Sequence, residues 1–340
     1  MKEATLYQKV DGGDVQCFLC AHRCRIRPGG LGVCQVRENQ DGTLVTHAYG
    51  RVIAHHIDPI EKKPLYHVAP GSRVYSMATP GCNFRCGWCQ NADIAQVSGA
   101  GVFSVVKPAT PAEIVAQVQR AGCPGIAYTY TEPTIFFEYA YETAQAAQET
   151  GLWNVFVTNG YMTAEALDMI APYLTAANVD LKTFRAETYR KEVGARLEPV
   201  LETMERLKER GIWLEVTTLI IPGLNDSAEE LRELARFMVE RLGRETPWHL
   251  SRFFPSGSLS GREPTPVATL EETRAIGHEE GLEFIYLGNL GRAGSANTQC
   301  PGCGNAVIKR GLGGVVNTVT QDGCSACGRA IPGVHMSAAT

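Results

Sequence analysis

The chain has 340 residues, 44% of them hydrophobic, with 32 basic and 36 acidic side chains and a formal net charge of −4. That length suits one large α/β domain with small appendages, and the slight acidity gives nucleic acid or a membrane surface no electrostatic footing. The start, Met1-Lys2-Glu3-Ala4-Thr5, is charged and lacks the apolar region of a signal peptide, and no apolar run is long enough for a membrane span, so a cytoplasmic protein is expected.

Twelve cysteines fall into three groups, with Cys123 left over. In a reducing compartment such groups read as metal ligands rather than disulfides. The first is Cys17-x2-Cys20-x3-Cys24, with Cys34 following. The glycine-rich Pro28-Gly29-Gly30-Leu31-Gly32 lets the chain fold back and bring Cys34 in, so a four-cysteine site is expected, holding zinc or an electron-relaying Fe–S cluster. The stretch from His55 to His67 is rich in titratable groups and reads as a lid, a substrate loop or a solvated connector.

A strand over residues 73–78 runs into Gly81-Cys82-Asn83-Phe84-Arg85-Cys86-Gly87-Trp88-Cys89. Three thiols on one loop can hold three irons of a cubane and leave the fourth open to a small molecule. The gap of three argues against zinc, which favours paired CxxC units. Trp88, directly before the third cysteine, can wall a flat ring bound beside the cluster.

From there short apolar runs alternate with helical patterns. Helices are expected from Pro111 after a Thr110 cap, over 135–150, from a Thr163 cap to Ile170, over 198–210, from Asp226 or Ser227 to Leu242, and over 270–280. Strands are expected over 125–130, 155–158, 177–181, 213–221, 249–253 and 284–287. Such repetition implies parallel strands with helical crossovers. Polar residues recur at nearly every strand end, which favours a (β/α) barrel over an open doubly wound sheet. After the fourth strand, Asp180 and Lys182 stand two apart and so share a face. They offer an acceptor for an ammonium group and a cation for a carboxylate, the two ends of an amino acid. The last group, Cys300-x2-Cys303 and Cys324-x2-Cys327, has a glycine after each pair and reads as a tetrahedral zinc ribbon.

The C-x3-C-x-aromatic-C pattern resembles that of the radical S-adenosylmethionine (radical SAM) enzymes. Over nearly its whole length the chain resembles the radical SAM member of the AmmeMemoRadiSam set, close relatives of the pyruvate formate-lyase activating enzymes. The resemblance rests on the N-terminal cysteines, the run from Asp58 to His67, Gly81 to Cys86, and the C-terminal CxxC pairs. It implies a [4Fe–4S] cluster on Cys82, Cys86 and Cys89 that binds S-adenosylmethionine. Thr131 and Glu132 fall where the family has Gly-Gly-Glu, whose backbone oxygens receive the methionine amino group; here Tyr130 and Thr131 replace both glycines. Asn159 falls near the ribose, although Val157 stands where relatives often place an acid. The Asp180-x-Lys182 pair occurs in the activating enzymes, and His249 falls where they place a histidine near adenosine. The run from Ile220 to Asp226 resembles a loop flanking the cosubstrate.

The expected fold is therefore α/β, a partial (β/α)6-type radical SAM barrel over 71–292. A cysteine-rich module and connector over 1–70 precede it, and a zinc-ribbon-like module over 293–340 follows. The expected activity is reductive cleavage of S-adenosylmethionine to a 5′-deoxyadenosyl radical that abstracts hydrogen from a substrate. Alternatives are an activating enzyme that installs a glycyl radical on a partner protein, and a zinc-ribbon adaptor without catalysis. Expected partners are S-adenosylmethionine, an external one-electron donor and, from the set's name, AMMECR-type and Memo-type proteins; RNA modification has no basic patch behind it.

Overall fold

The computed structural model describes residues 1–97, 101–104, 106–291, 294–311, 313–321 and 323–337. The expected boundary between residues 292 and 293 lies outside them. The central sheet has eight strands: β1 (Ala54–Pro59), β2 (Arg73–Ala78), β3 (Gly125–Tyr128), β4 (Trp153–Thr158), β5 (Ala176–Asp180), β6 (Trp213–Ile220), β7 (Trp248–Arg252) and β8 (Ile285–Gly288). β1 runs antiparallel to β2, and the other pairs are parallel. Their spatial order follows the sequence without a reversal, as in a barrel and unlike a doubly wound sheet. The sheet does not close, since β8 and β1 are its two edges. The sheet is thus the partial barrel expected from the sequence.

The crossover helices are α1 (Pro111–Arg120), α2 (Phe137–Glu149), α3 (Ala164–Ile170), α4 (Glu198–Glu209), α5 (Ala228–Phe237) and α6 (Val267–Glu280). Their starts follow local chemistry. Thr110 and Glu113 form a reciprocal capping box on α1, Thr163 caps α3, and Ser227 caps α5. Asp226, the other candidate cap, instead accepts from the Gly223 amide at 2.9 Å.

Alternation along the strands divides the core. Tyr75, Met77, Tyr128, Phe156, Val179, Val216 and Trp248 join the large apolar cluster that includes the helices' buried side chains. The opposite, inner face carries Val74, Ala127, Val155 and Ala176 at the N-terminal ends of the strands. These pack against Ile60, Leu65 and Val68. The stretch from His55 to His67 is therefore neither lid nor solvated connector. Its first half is edge strand β1, and its apolar residues Ile60 and Leu65 plug the floor of the inner face.

At the N-terminus, strands Lys2–Glu3, Thr43–Thr46 and Arg37–Gln40 form one small sheet, and Tyr7–Lys9, Val15–Cys17 and Arg25–Ile26 form another. Buried Arg37 anchors this module by pairing with Glu138 on α2, which also accepts from the Thr5 amide at 2.7 Å. At the C-terminus, Thr298–Gln299, Ala306–Gly311 and Gly314–Asn317 form a sheet, beside a hairpin of Val319–Thr320 and Gly323–Cys324. The buried core of this module is small: Cys300, Val307, Ile308, Val319, Cys324, Ile331 and Met336. No helix among the described residues is long and apolar enough to cross a membrane.

Candidate functional site

The loop after β2 carries Cys82, Cys86 and Cys89, all free and half-buried. Gly81 sets up the turn. It takes φ 108°, and a Cβ there would collide with Val36 and stand 3.3 Å from the Cys34 carbonyl. The Phe84 amide donates toward Cys82 Sγ at 3.4 Å, the kind of backbone N–H···S contact that supports a thiolate.

A hydrogen-bond chain ties this loop to the next two strand ends. Asn159 Nδ2 donates to Asn83 Oδ1 at 2.7 Å and lies 4.0 Å from Cys82 Sγ. The Asn159 amide donates to Glu132 at 2.8 Å. Glu132 also accepts from the Thr134 amide (2.9 Å), the Thr134 hydroxyl (2.6 Å) and the Thr158 hydroxyl (2.7 Å). Three of these donors meet Oε1 and one meets Oε2, so this buried carboxylate ties together the loops after β3 and β4. Thr131 Oγ1 donates to the Thr79 carbonyl at 2.8 Å, and Asn91 Nδ2 to the Tyr130 carbonyl at 2.8 Å. Asn159's amide is likewise turned toward the cysteine loop, with its Oδ1 accepting from the Tyr161 amide at 3.0 Å.

Asp180 and Lys182 stand at the end of β5, with Nζ 2.8 Å from Asp180 Oδ2. Burial opposes the Lys182 charge, but Asp180 and Cys86 beside it hold its pKa well above the usual lysine value. The same proximity acts on Cys86. Burial pushes its thiol up to about 11, with Lys182 pulling the other way. Burial and the Glu132 carboxylate also raise the Cys82 thiol. Asn225, in the loop after β6, donates to the Lys182 carbonyl at 2.8 Å and to the Leu219 carbonyl at 2.9 Å, which fixes the pair's backbone.

His249 shares a register row with Asp180, reached through Thr217. Its Nε2 lies 2.6 Å from Glu215, and its ring is stacked on Tyr286 and edge-on to Tyr66. Trp88 is buried in the large apolar cluster. A strap after β7 crosses it: Ser256 Oγ donates to the Trp88 carbonyl at 3.1 Å and the Ser258 amide to the Gly87 carbonyl at 2.8 Å.

Three features escaped sequence reasoning. The strap is one. Another is Glu215, fully buried, which accepts from the Tyr66 and His67 amides at 2.9 and 2.8 Å as well as meeting His249. A lone acid in the apolar run of β6 was the available signal. The third is a cluster on the inner face. Asp58 receives Lys63 at 2.7 Å, Lys62 at 2.9 Å and the Tyr130 hydroxyl. Burial works against the Asp58 charge, yet these donors hold its carboxyl well below the usual range. Tyr130 adopts φ 65°, a left-handed conformation where glycine is favoured. This backbone ends β3 at Tyr128, two residues short of the strand expected over 125–130.

At the C-terminus, Cys300, Cys303, Cys324 and Cys327 bring their sulfurs within 4.8 Å of one another. Sγ–Sγ separations of 3.6 and 3.8 Å match the roughly 3.8 Å edge of a tetrahedron with Zn–S bonds of about 2.3 Å. The four thiols fit one tetrahedral ion.

The profile of the radical SAM superfamily matches residues 77–238. The chain is 44% identical over 334 residues to an uncharacterized protein of Methanocaldococcus jannaschii, covering 97% of this chain and 99% of that one. It is 24% identical over 148 residues to the isethionate sulfite-lyase activating enzyme of Oleidesulfovibrio alaskensis, covering 40% of this chain and 48% of that one. A 4-hydroxyphenylacetate decarboxylase activating enzyme of Clostridioides difficile is 23% identical over 162 residues, with 45% and 51% covered. The chain thus spans about half the length of these two activating enzymes.

Proposed function

This chain belongs to the radical SAM superfamily, and on that premise we propose that it cleaves S-adenosylmethionine reductively at the loop of Cys82, Cys86 and Cys89. The observation that carries this reading is the placement of Asp180 and Lys182 against Cys86. The residues fit the implied cofactors: three free thiols on one loop, a carboxylate and an ammonium beside them, and no tetrahedral convergence of the three such as the C-terminal four show. When bound, the [4Fe–4S] cluster supplies the electron that splits the sulfonium into methionine and a 5′-deoxyadenosyl radical, which takes hydrogen from the substrate.

The protein's own contribution is orientation and exclusion of water. Asp180 accepts from the amino group of the cosubstrate, and Lys182 offsets its carboxylate and the negative charge of the thiolates. Backbone oxygens of Thr131 and Glu132 line the amino end. Glu132, Asn159 and Asn83 hold the cysteine loop in register with that end. His249, kept in place by Glu215, faces the adenosine side, and the strap over Gly87 and Trp88 shields the loop. Anaerobic reconstitution, reduction and addition of S-adenosylmethionine should release 5′-deoxyadenosine. Undiminished release from Cys86→Ala would sink the assignment.

Similarity to activating enzymes favours one second reading, in which the hydrogen is taken from a partner protein and a glycyl radical results. A radical signal on a co-purified protein, after turnover, separates it from small-molecule chemistry. AMMECR-type and Memo-type proteins are the partners in the AmmeMemoRadiSam reading. Its support is the resemblance carried by Asp58 to His67 and by the C-terminal CxxC pairs. Zinc on those pairs would make the ribbon a rigid docking module.

A further inference from the structure

A third set of thiols lies outside both sites. Cys17 ends a strand and its amide donates to the Cys24 carbonyl at 2.9 Å, closing a knuckle around Cys20. Left-handed backbone at Arg23 and at Gln35 turns the chain beside Cys24 and Cys34. Gly32 sits between these last two: a Cβ there would be 3.8 Å from each of their sulfurs. The four cysteines thus ring one buried space. Yet among the described residues, the C-terminal four are the group whose sulfurs converge to single-ion distances. Among the N-terminal four no three sulfurs meet within the 4.8 Å that the C-terminal four satisfy, a closeness that one zinc requires and a cubane does not.

Arg37 supplies a second, independent observation. Its Nη1 lies 3.7 Å from Cys17 Sγ and 3.0 Å from the Thr5 carbonyl, while its Nη2 edge pairs with Glu138. A guanidinium that cannot lose its proton thus stands on one thiol of the ring, and hydrogen bonds to the sulfurs of a cluster set its reduction potential. The ring also touches the catalytic loop. The Cys34 carbonyl and Val36 abut Gly81, Arg85 donates to the Val33 carbonyl, and His22 Nε2 lies 2.8 Å from the Asn83 carbonyl.

We infer that Cys17, Cys20, Cys24 and Cys34 hold a second [4Fe–4S] cluster, ligated at all four irons, that relays electrons to the loop of Cys82, Cys86 and Cys89. An external low-potential one-electron donor reduces it, and it is reoxidised by passing that single electron across the Cys34–Gly81 contact. The relay role rests on the function proposed above; the presence of the cluster does not.

The test uses the full chain with Cys82→Ala, Cys86→Ala and Cys89→Ala, reconstituted anaerobically beside the wild type, with iron, labile sulfide and zinc counted and the reduced electron-spin signal recorded. The expectation is about four irons with a cubane signal in the triple variant and about eight in the wild type. About four in the wild type and none in the variant overturns the inference while sparing the catalytic trio. About four in both instead removes the trio's cluster and leaves this one. If the triple variant does not fold, the wild-type count decides: about four irons and a second zinc per chain overturn the proposal. Arg37→Gln should also shift the potential of the N-terminal signal, which a purely structural arginine beside zinc has no means of doing.

Discussion

Tyr130 shows how one side chain links backbone strain to the site. A non-glycine residue in the left-handed region costs about 1 kcal/mol, and here the conformation brings the hydroxyl to Asp58 while the carbonyl takes Asn91. Tyr130→Phe keeps the backbone and deletes the hydrogen bond to a charged acceptor. It should lower unfolding free energy by about 1.5 kcal/mol in urea titrations; an unchanged midpoint would show that Lys62 and Lys63 alone satisfy Asp58. Lys182 makes a second case. Lys182→Met removes the ammonium facing Cys86 while keeping most of the side chain's bulk. Affinity for S-adenosylmethionine should fall about tenfold, equivalent to about 1.4 kcal/mol, with iron content unchanged. Loss of iron without loss of affinity would assign the lysine to the cluster alone.

Among the elements, the joint between the N-terminal sheets and α2 depends on the buried Arg37–Glu138 pair. Glu138→Gln leaves the guanidinium unpaired, and breaking such a pair from one side costs about 3–5 kcal/mol. The variant should unfold at correspondingly lower denaturant, and a loss under 1 kcal/mol would mean that the cysteine ring alone holds the module. These small sheets were illegible in the sequence because their strands are two to four residues long, too short for any periodicity. The long elements were legible for the opposite reason. Apolar runs and caps such as Thr110, Thr163 and Ser227 place most helix starts and strands within a few residues. Spacing named the cysteine trio and the Asp180–Lys182 pair. Their supports could not be named that way, since Glu215 finds its backbone partners 148 and 149 residues away.

For the whole molecule, His67 is the latch between sheet and ribbon. Its Nδ1 donates to the Pro332 carbonyl at 2.6 Å, its Nε2 meets the Tyr286 hydroxyl at 2.6 Å, and its backbone pairs with Val334 at 2.8 Å. Burial pushes its pKa down to about 4; the Glu215 carboxylate pulls the other way, while Arg310 and His249 add to the depression. The unfolded chain takes up a proton near pH 6.5 that the folded latch refuses. Stability from this group is therefore whole above that pH and falls by up to about 1.4 kcal/mol per unit as pH drops toward 4. His67→Gln should flatten that part of the pH–stability curve; an unchanged slope would place the acid sensitivity elsewhere. Stripping metal from the C-terminal four should expose the ribbon to proteolysis while the far-ultraviolet signal of the sheet persists, because its small core cannot hold alone. Cleavage within the sheet as well would show that the latch supports both parts.

The unbroken order of the eight strands also bears on how the chain is made. During synthesis each parallel strand can pair with the one that left the ribosome just before it, so the sheet can grow from its N-terminal edge. The first two cysteine groups both leave the ribosome before β5 brings Asp180 and Lys182, and long before the strap that crosses Trp88. On the proposed function, metal delivery to them has a window while the nascent chain is still open, and it narrows with every strand added.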